Sequence, residues 1–210
     1  MDSAGGVFWI SVSSLVISFI VALAVVYREF IHDWIFRPKL DITFSLNAPH
    51  SRVTLLEGGK KGFWPRLLVK NNGKRVALRC EGILDEVRML DGTIDTRYDP
   101  LVLRWATAPI AKGLLPLDIA QKRQVFLNIF TTIEGEENAP FATYVDAVGI
   151  PLYLEPRQCW FRIVIYGDNF TPVSKGYAIQ WDGKEFEEVN VCEMDEPPKS
   201  IKEWPWPVQS

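Results

Sequence analysis

Cysteine and histidine are scarce: Cys80, Cys159 and Cys192 are the only thiols, and His32 and His50 the only imidazoles, in 210 residues. An odd cysteine count without a CxxC pair lays out neither a disulfide framework nor a zinc site. It fits a reducing compartment, with one bridge plus one free thiol as the alternative. A Ser/His/Asp hydrolase needs a histidine base. Beyond the first forty residues only His50 is available, in the loop-like Asn47-Ala48-Pro49-His50-Ser51, where it reads as a surface residue. Basic stripes are also missing. The formal charge is −3, and the clusters Lys60-Lys61 and Lys74-Arg75 read as solvated turns, so nucleic acid is not an expected partner. Gly58-Gly59-Lys60-Lys61-Gly62 lacks Walker spacing and a following helix. It reads as a mobile turn facing solvent or anionic headgroups. Glu134-Gly135-Glu136-Glu137-Asn138 lacks the ligand order of a calcium loop and reads as an acidic hairpin tip. Asp85, Glu86, Asp95, Asp99, Asp118, Glu134, Glu136 and Glu137 are spread along the chain as carboxylates of solvated strand faces. No catalytic residue, metal ligand or cofactor site follows from these patterns, and the chain reads as a non-enzyme.

What is present begins with an uncharged run from Val7 to Tyr27, VFWISVSSLVISFIVALAVVY. A helix of that length spans about 31 Å, the thickness of a hydrocarbon core. Ser11, Ser13, Ser14 and Ser18 can bond the carbonyl one turn back, which keeps their cost in lipid modest. Trp9 and Tyr27 sit near the two ends, where amphipathic rings favour headgroups. Ala22-Leu23-Ala24 resembles a signal-peptidase site, but the leader MDSAGG has no positive charge and the run exceeds an ordinary signal core. Residues 1–6 are therefore read as a short tail and 7–27 as a single transmembrane helix. Arg28, Arg37 and Lys39 follow it, and positive-inside bias places the tail outside and the C-terminal domain in the cytoplasm. Ser14, Ser18 and Ala22 share a helix face on which a second helix could pack closely. Residues 28–39 form a juxtamembrane neck that continues the helix. It carries Phe30, Ile31, Trp34 and Ile35 at helical spacing, His32 at the interface, and Pro38 as its stop.

After Pro38 the period changes to two. Leu40-Asp41-Ile42-Thr43-Phe44-Ser45-Leu46 alternates strictly, as a half-buried strand does. Strand-like runs follow at 66–70, 76–90, 101–105, 125–132, 159–166, 177–181 and 186–191, separated by Asn71-Asn72-Gly73, Asp91-Gly92, Gly167-Asp168-Asn169 and Asp182-Gly183. Gly82 marks a bulge or bend in the long run, and 118–124 holds at most a short helical turn. In Cys159–Tyr166 one face carries Cys159, Phe161, Ile163 and Ile165 toward the core, and the mixed face of Trp160, Arg162, Val164 and Tyr166 is partly covered. The sequon Asn169-Phe170-Thr171, with Pro172 next, reads as a turn. The expected fold is all-β, an antiparallel β-sandwich over residues 40–192.

With Cys80 and Cys159 on strands and Trp105 between them, residues 40–192 loosely resemble immunoglobulin-like sandwiches. The resemblance implies the architecture. It does not extend to a Cys80–Cys159 bridge, because Trp105 stands on a strand well removed from Cys80 and Arg157 occupies the position of the tyrosine corner.

Residues 193–210 form a Pro/Trp-rich tail, EMDEPPKSIKEWPWPVQS. Trp204, Pro205, Trp206 and Pro207 are either a docking peptide for a partner or a segment folded back on its own domain or the membrane surface. The chain as a whole is expected to be a membrane-anchored interaction, accessory or scaffold module. Its expected partners are the bilayer and another membrane or cytoplasmic protein. A small-ligand or lipid sensor is the alternative, with a hydrolase behind both.

Overall fold

A computed structural model describes residues 3–56, 58–98, 100–106, 112–143, 153–155 and 157–207. In helix α1 (Ser3–Phe36) it describes side chains for 14–28 and for 35–36. The chain forms two compact units, Met1–Arg37 and Pro38–Ser210.

In the first unit α1 runs through the neck and ends two residues before Pro38, which cannot continue a helix. Leu15, Val16, Ile17, Phe19, Ile20, Val21, Leu23, Val25, Val26 and Tyr27 are all between 49% and 74% exposed. Among the described residues no helix is long and apolar enough to cross a membrane.

The second unit is all-β. Its strands are β1 (Leu40–Phe44), β2 (Arg52–Leu55), β3 (Lys61–Trp64), β4 (Arg66–Asn71), β5 (Ala77–Arg88), β6 (Leu101–Leu103) and β7 (Leu117–Ile119). They continue with β8 (Gln124–Asn128), β9 (Thr132–Ile133), β10 (Ala139–Pro140), β11 (Tyr153–Leu154), β12 (Arg157–Tyr166), β13 (Val173–Trp181) and β14 (Asn190–Glu193). The largest sheet is ordered β14-β13-β12-β5-β6, with β7 also on β5. Three smaller sheets are β1-β4-β8, β2-β3-β9 and β10-β11, and every pairing is antiparallel.

One apolar core joins the largest sheet to β1-β4-β8. Ile42, Leu67, Val69, Val125 and Leu127 pack with Cys80, Leu84, Phe161, Ile163, Ile165, Tyr177 and Ile179. The alternation of β1 delivers Ile42 to this core while Asp41 and Thr43 stay exposed. Gly82 is not the bulge its sequence position suggests. A Cβ there would lie 2.4 Å from Leu127 Cδ2, so glycine is what lets β8 approach β5. The irregularities sit on either side. One falls between Ala77 and Cys80, where Arg79 has φ 50°, and the other opposite Arg162/Ile163, where Asp85 is the extra residue. The bulge at Asp85 resets the phase, so that Leu84 and Val87 both point inward. Residues 118–124 also differ from expectation. Leu117–Ile119 pairs with β5 as a strand, and Ala120–Arg123 then closes a turn, because Asn71 draws this segment in.

Asn71 is fully buried and its amide is saturated. Nδ2 donates to Arg75 O at 2.7 Å and Ile119 O at 2.9 Å, and Oδ1 accepts from Gly73 N at 2.9 Å and Lys39 N at 3.3 Å. One side chain thereby fixes the entry into β1, the turn after β4 and the β7 segment. The last sequence-predicted strand is shifted: Glu185–Glu188 forms a turn, and pairing with β13 begins at Asn190.

Arg157, the departure from the immunoglobulin pattern, has a structural role of its own. Its guanidinium meets Asp95 at 3.1 Å and the Tyr98 hydroxyl at 3.0 Å, and Tyr98 donates to Tyr153 O at 2.9 Å. Arg97 binds Asp95 from the other side at 2.9 Å and reaches Glu155 at 3.1 Å. Hydrogen bonds from Arg97, aided by the charge of Arg157, hold the Asp95 carboxyl below its ordinary range despite burial. A depressed carboxylate stabilises the fold at neutral pH, and that contribution disappears as pH falls through the folded-state value. Asp95→Asn is expected to cost about 3 kcal/mol at pH 7 because it strands a buried guanidinium. It should also flatten the acid limb of stability below about pH 4. Urea unfolding as a function of pH measures both effects.

Candidate functional site

On the outer face of the β1-β4-β8 sheet, Arg66 and Asn128 are direct cross-strand partners. Asn128 N also bonds Arg104 O at 2.9 Å, which brings the 104–106 segment alongside β8. Alternation turns Trp105 into the core and leaves Arg104 and Ala106 on the outer side. The β2–β3 hairpin supplies the wall. Its register places Arg52 opposite Trp64, and Trp64 Nε1 donates to Thr54 Oγ1 at 2.8 Å. Arg52, Thr54, Trp64, Arg66, Arg104, Ala106 and Asn128 line an open pocket of about 230 Å³.

Arg66 and Arg104 are positioned by something other than an acid, and Arg52 is exposed. Arg66 Nε donates to His50 O at 2.9 Å, a terminal nitrogen donates to Pro49 O, and the plane lies over the Phe126 ring at 4.6 Å. Burial, and then the charge of Arg52, lower the Arg66 pKa from its ordinary value. Arg104 sits over the Trp64 ring at 5.6 Å, and its stem crosses Gly113, where a Cβ would lie 2.3 Å from Arg104 Cγ. Among the described residues no carboxylate lies within ion-pair distance of Arg52, Arg66 or Arg104. By contrast Arg79, Arg88, Arg97, Arg157 and Arg162 each meet one.

Comparison with protein-family models, with curated proteins and with solved structures yields no match. Geometry alone therefore carries the functional reading.

The residues singled out from sequence are scattered rather than gathered. Ser14, Ser18, Ala22, Tyr27, Arg28, Arg37 and Lys39 are exposed, while the side chains of Trp9, His32 and Trp34 lie outside the described residues, as does Asp99. His50 is half-buried and edge-on to Phe126, with ring centroids 6.0 Å apart. The carboxylates are used locally. Asp85 and Glu86 hold Arg162, Asp118 accepts from Arg79 N, Glu134 accepts from Lys61 N, and Glu136 pairs with Lys60 at 2.9 Å. In the Gly58–Gly62 turn, residues 58–61 are exposed, as expected, and Lys60 pairs with Glu136 of the acidic turn. The Asn169 side chain bonds Leu78 N and Val76 O at the start of β5, consistent with a turn. All three cysteines are free thiols, and burial pushes Cys80 and Cys159 each up to about 12.

The tail lies on the domain. Trp204 is buried against Trp160 and Ala178, with Leu90, Met194 and Trp206 around them. Trp204 Nε1 donates to Leu90 O at 3.1 Å, Trp160 Nε1 to Met194 O at 2.7 Å, and Gln158 Nε2 to Pro207 O at 2.9 Å. This covers the Trp160 end of the mixed face of β12, while Tyr166 at the other end stays exposed. Of the two fates expected for the tail, the folded-back one is adopted here. Docking of Trp204 in trans would first have to expose the Trp160 face.

Sequence reasoning missed β2, β3 and the pocket they complete. The available signal was a pair of short β-prone stretches, Arg52-Val53-Thr54-Leu55 and Phe63-Trp64, around Gly58-Gly59. Trp204→Ala is expected to cost about 3 kcal/mol, roughly 6–12 °C in a domain of this size. Thermal unfolding of the full chain checks it; an unchanged midpoint would mean the tail is not part of the cooperative unit.

Proposed function

We propose that this protein is a single-pass, membrane-anchored β-sandwich that serves as an interaction or accessory module, with the three-arginine pocket as its contact surface. The observation that carries the reading is the contrast in charge pairing. The chain has 26 acidic and 23 basic residues, yet Arg52, Arg66 and Arg104 converge without an acid among the described residues. Like charges held together cost stability, and such a cost is sustained where an anion arrives from outside. The second reading, a small-ligand or lipid sensor, is favoured by the gathering of three arginines around one open pocket of about 230 Å³.

The apolar side chains of α1 support the anchor. Leu15, Val16, Ile17, Phe19 and Ile20 point in all directions around the helix and are half exposed or more. A helix that is apolar all round belongs in a protein core or in lipid. The shared core of the largest sheet and β1-β4-β8 supports the sandwich, and Arg28, Arg37 and Lys39 support a cytoplasmic domain.

Two measurements test this reading. Full-length protein should remain with membranes in alkaline carbonate, and deletion of Val7–Tyr27 should release it. Protein purified from native membranes in mild detergent should carry a stoichiometric partner or bound anion that Arg104→Glu removes. Release of the full chain by carbonate would contradict the anchor, and co-purification indifferent to Arg104→Glu would contradict the contact surface.

A further inference from the structure

We propose that the pocket formed by Arg52, Arg66 and Arg104 is a receptor for a dianionic phosphate monoester, an inference that rests on reading this pocket as the contact surface. The group would be borne by a small soluble molecule or by a lipid headgroup.

The donors and acceptors of the site decide the chemistry. Arg52 and Arg104 make no side-chain hydrogen bond to described residues, so their N–H groups are available. Arg66 spends Nε and one terminal nitrogen on the carbonyls of His50 and Pro49. Its other terminal nitrogen has no acceptor among the described residues. Those two carbonyls and the Phe126 ring hold the guanidinium in place before any ligand arrives, which lowers the entropy lost on binding. The Thr54 oxygen accepts from Trp64 Nε1, and its own proton is left to donate. Asn128 adds an amide on the floor. The set is rich in donors and poor in acceptors, so it suits a ligand made of acceptor oxygens and repels a cation.

Charge then separates phosphate from carboxylate. Three arginines line the cavity with no acid paired to them among the described residues, and a carboxylate supplies one negative charge and two oxygens. A phosphate monoester carries close to two charges at neutral pH and three terminal oxygens, and so answers more of the donors and more of the repulsion. The pocket is open on one side, which leaves an exit for the ester substituent, and the Trp64 ring flanks that space. The site also depends on elements that packing alone does not require: Gly113 clears the path for the Arg104 stem, and the β2 register sets Arg52 across from Trp64.

The test uses the full-length chain in neutral detergent at constant ionic strength. Inorganic phosphate and acetate are titrated by calorimetry and by thermal unfolding. Phosphate should bind saturably and raise the unfolding midpoint, with acetate weaker by about tenfold or more. Arg52→Gln and Arg104→Gln should each weaken phosphate by about tenfold, while the midpoint without ligand stays the same or rises because repulsion is relieved. Lys184→Gln, an exposed charge elsewhere on the domain, should change nothing. The source is then read from protein reconstituted in phosphatidylcholine discs with or without phosphatidic acid. A midpoint already raised by phosphatidic acid, with no further response to phosphate, assigns a lipid headgroup. A response to glycerol phosphate that phosphatidic acid does not pre-empt assigns a soluble ester. Equal responses to phosphate and acetate would overturn the inference, as would arginine variants that lose stability but keep phosphate affinity. If phosphate fails to bind while a carboxylate-bearing partner still co-purifies and is lost with Arg104→Glu, the phosphate inference falls and the interaction reading stands.

Discussion

Strand β12 is buried on both faces, and the rest of the domain is arranged to make that possible. Its inner side chains, Cys159, Phe161, Ile163 and Ile165, enter the core shared with β1-β4-β8. Its outer face carries Trp160 and Val164, which would be wet in a simple two-layer fold. The tail removes Trp160 from water, with Trp204 against it, and hydrogen bonds satisfy both indoles and the amide nitrogen of Gln158. The tail supplies apolar cover together with acceptors for the indole N–H groups, which favours a strand this apolar in the middle of a half-covered sheet. The same strand begins with Arg157, whose charge is answered by Asp95 on the loop after β5.

Against this background of neutralised charge the arginine pocket stands apart. The domain pairs Arg79, Arg88, Arg97, Arg157 and Arg162 with acids, and ties Lys60 to Glu136 and Lys175 to Glu193. The rim is instead braced by backbone carbonyls and aromatic rings, which orient a guanidinium without discharging it. Functional surfaces commonly carry such local conflict, and the well-packed layers beneath absorb its cost.

Much of the architecture was legible in the sequence because burial imposes a period. The alternation at Leu40–Phe44, the apolar face of Cys159–Ile165 and the helix stop at Pro38 all follow from local rules and appear where expected. The helix–strand boundary was legible for the same reason. Three features were not. The bulge at Asp85 depends on how β5 meets β12, a non-local register that no single strand encodes. The β7 segment is a strand because the buried Asn71 bonds Ile119 O, a contact spanning 48 residues. The pocket unites positions 52, 66 and 104, each of which taken alone is an ordinary polar residue on an alternating strand. Only pairing register gathers them. The Pro/Trp tail was conspicuous by composition, yet whether it docks in cis was set by the Trp160 face that it covers.

Hydrogen exchange along the full chain, with and without phosphate, tests the central claim most directly: a core covered on both sides that supports a charge-frustrated, ligand-responsive rim. The account predicts that the amides of β12 and β5 exchange most slowly and are indifferent to phosphate. The amides of β2 and β3 should exchange quickly in plain buffer and slow when phosphate is added. Equal protection of β2–β3 and β12 without an anion, unchanged by phosphate, would contradict it.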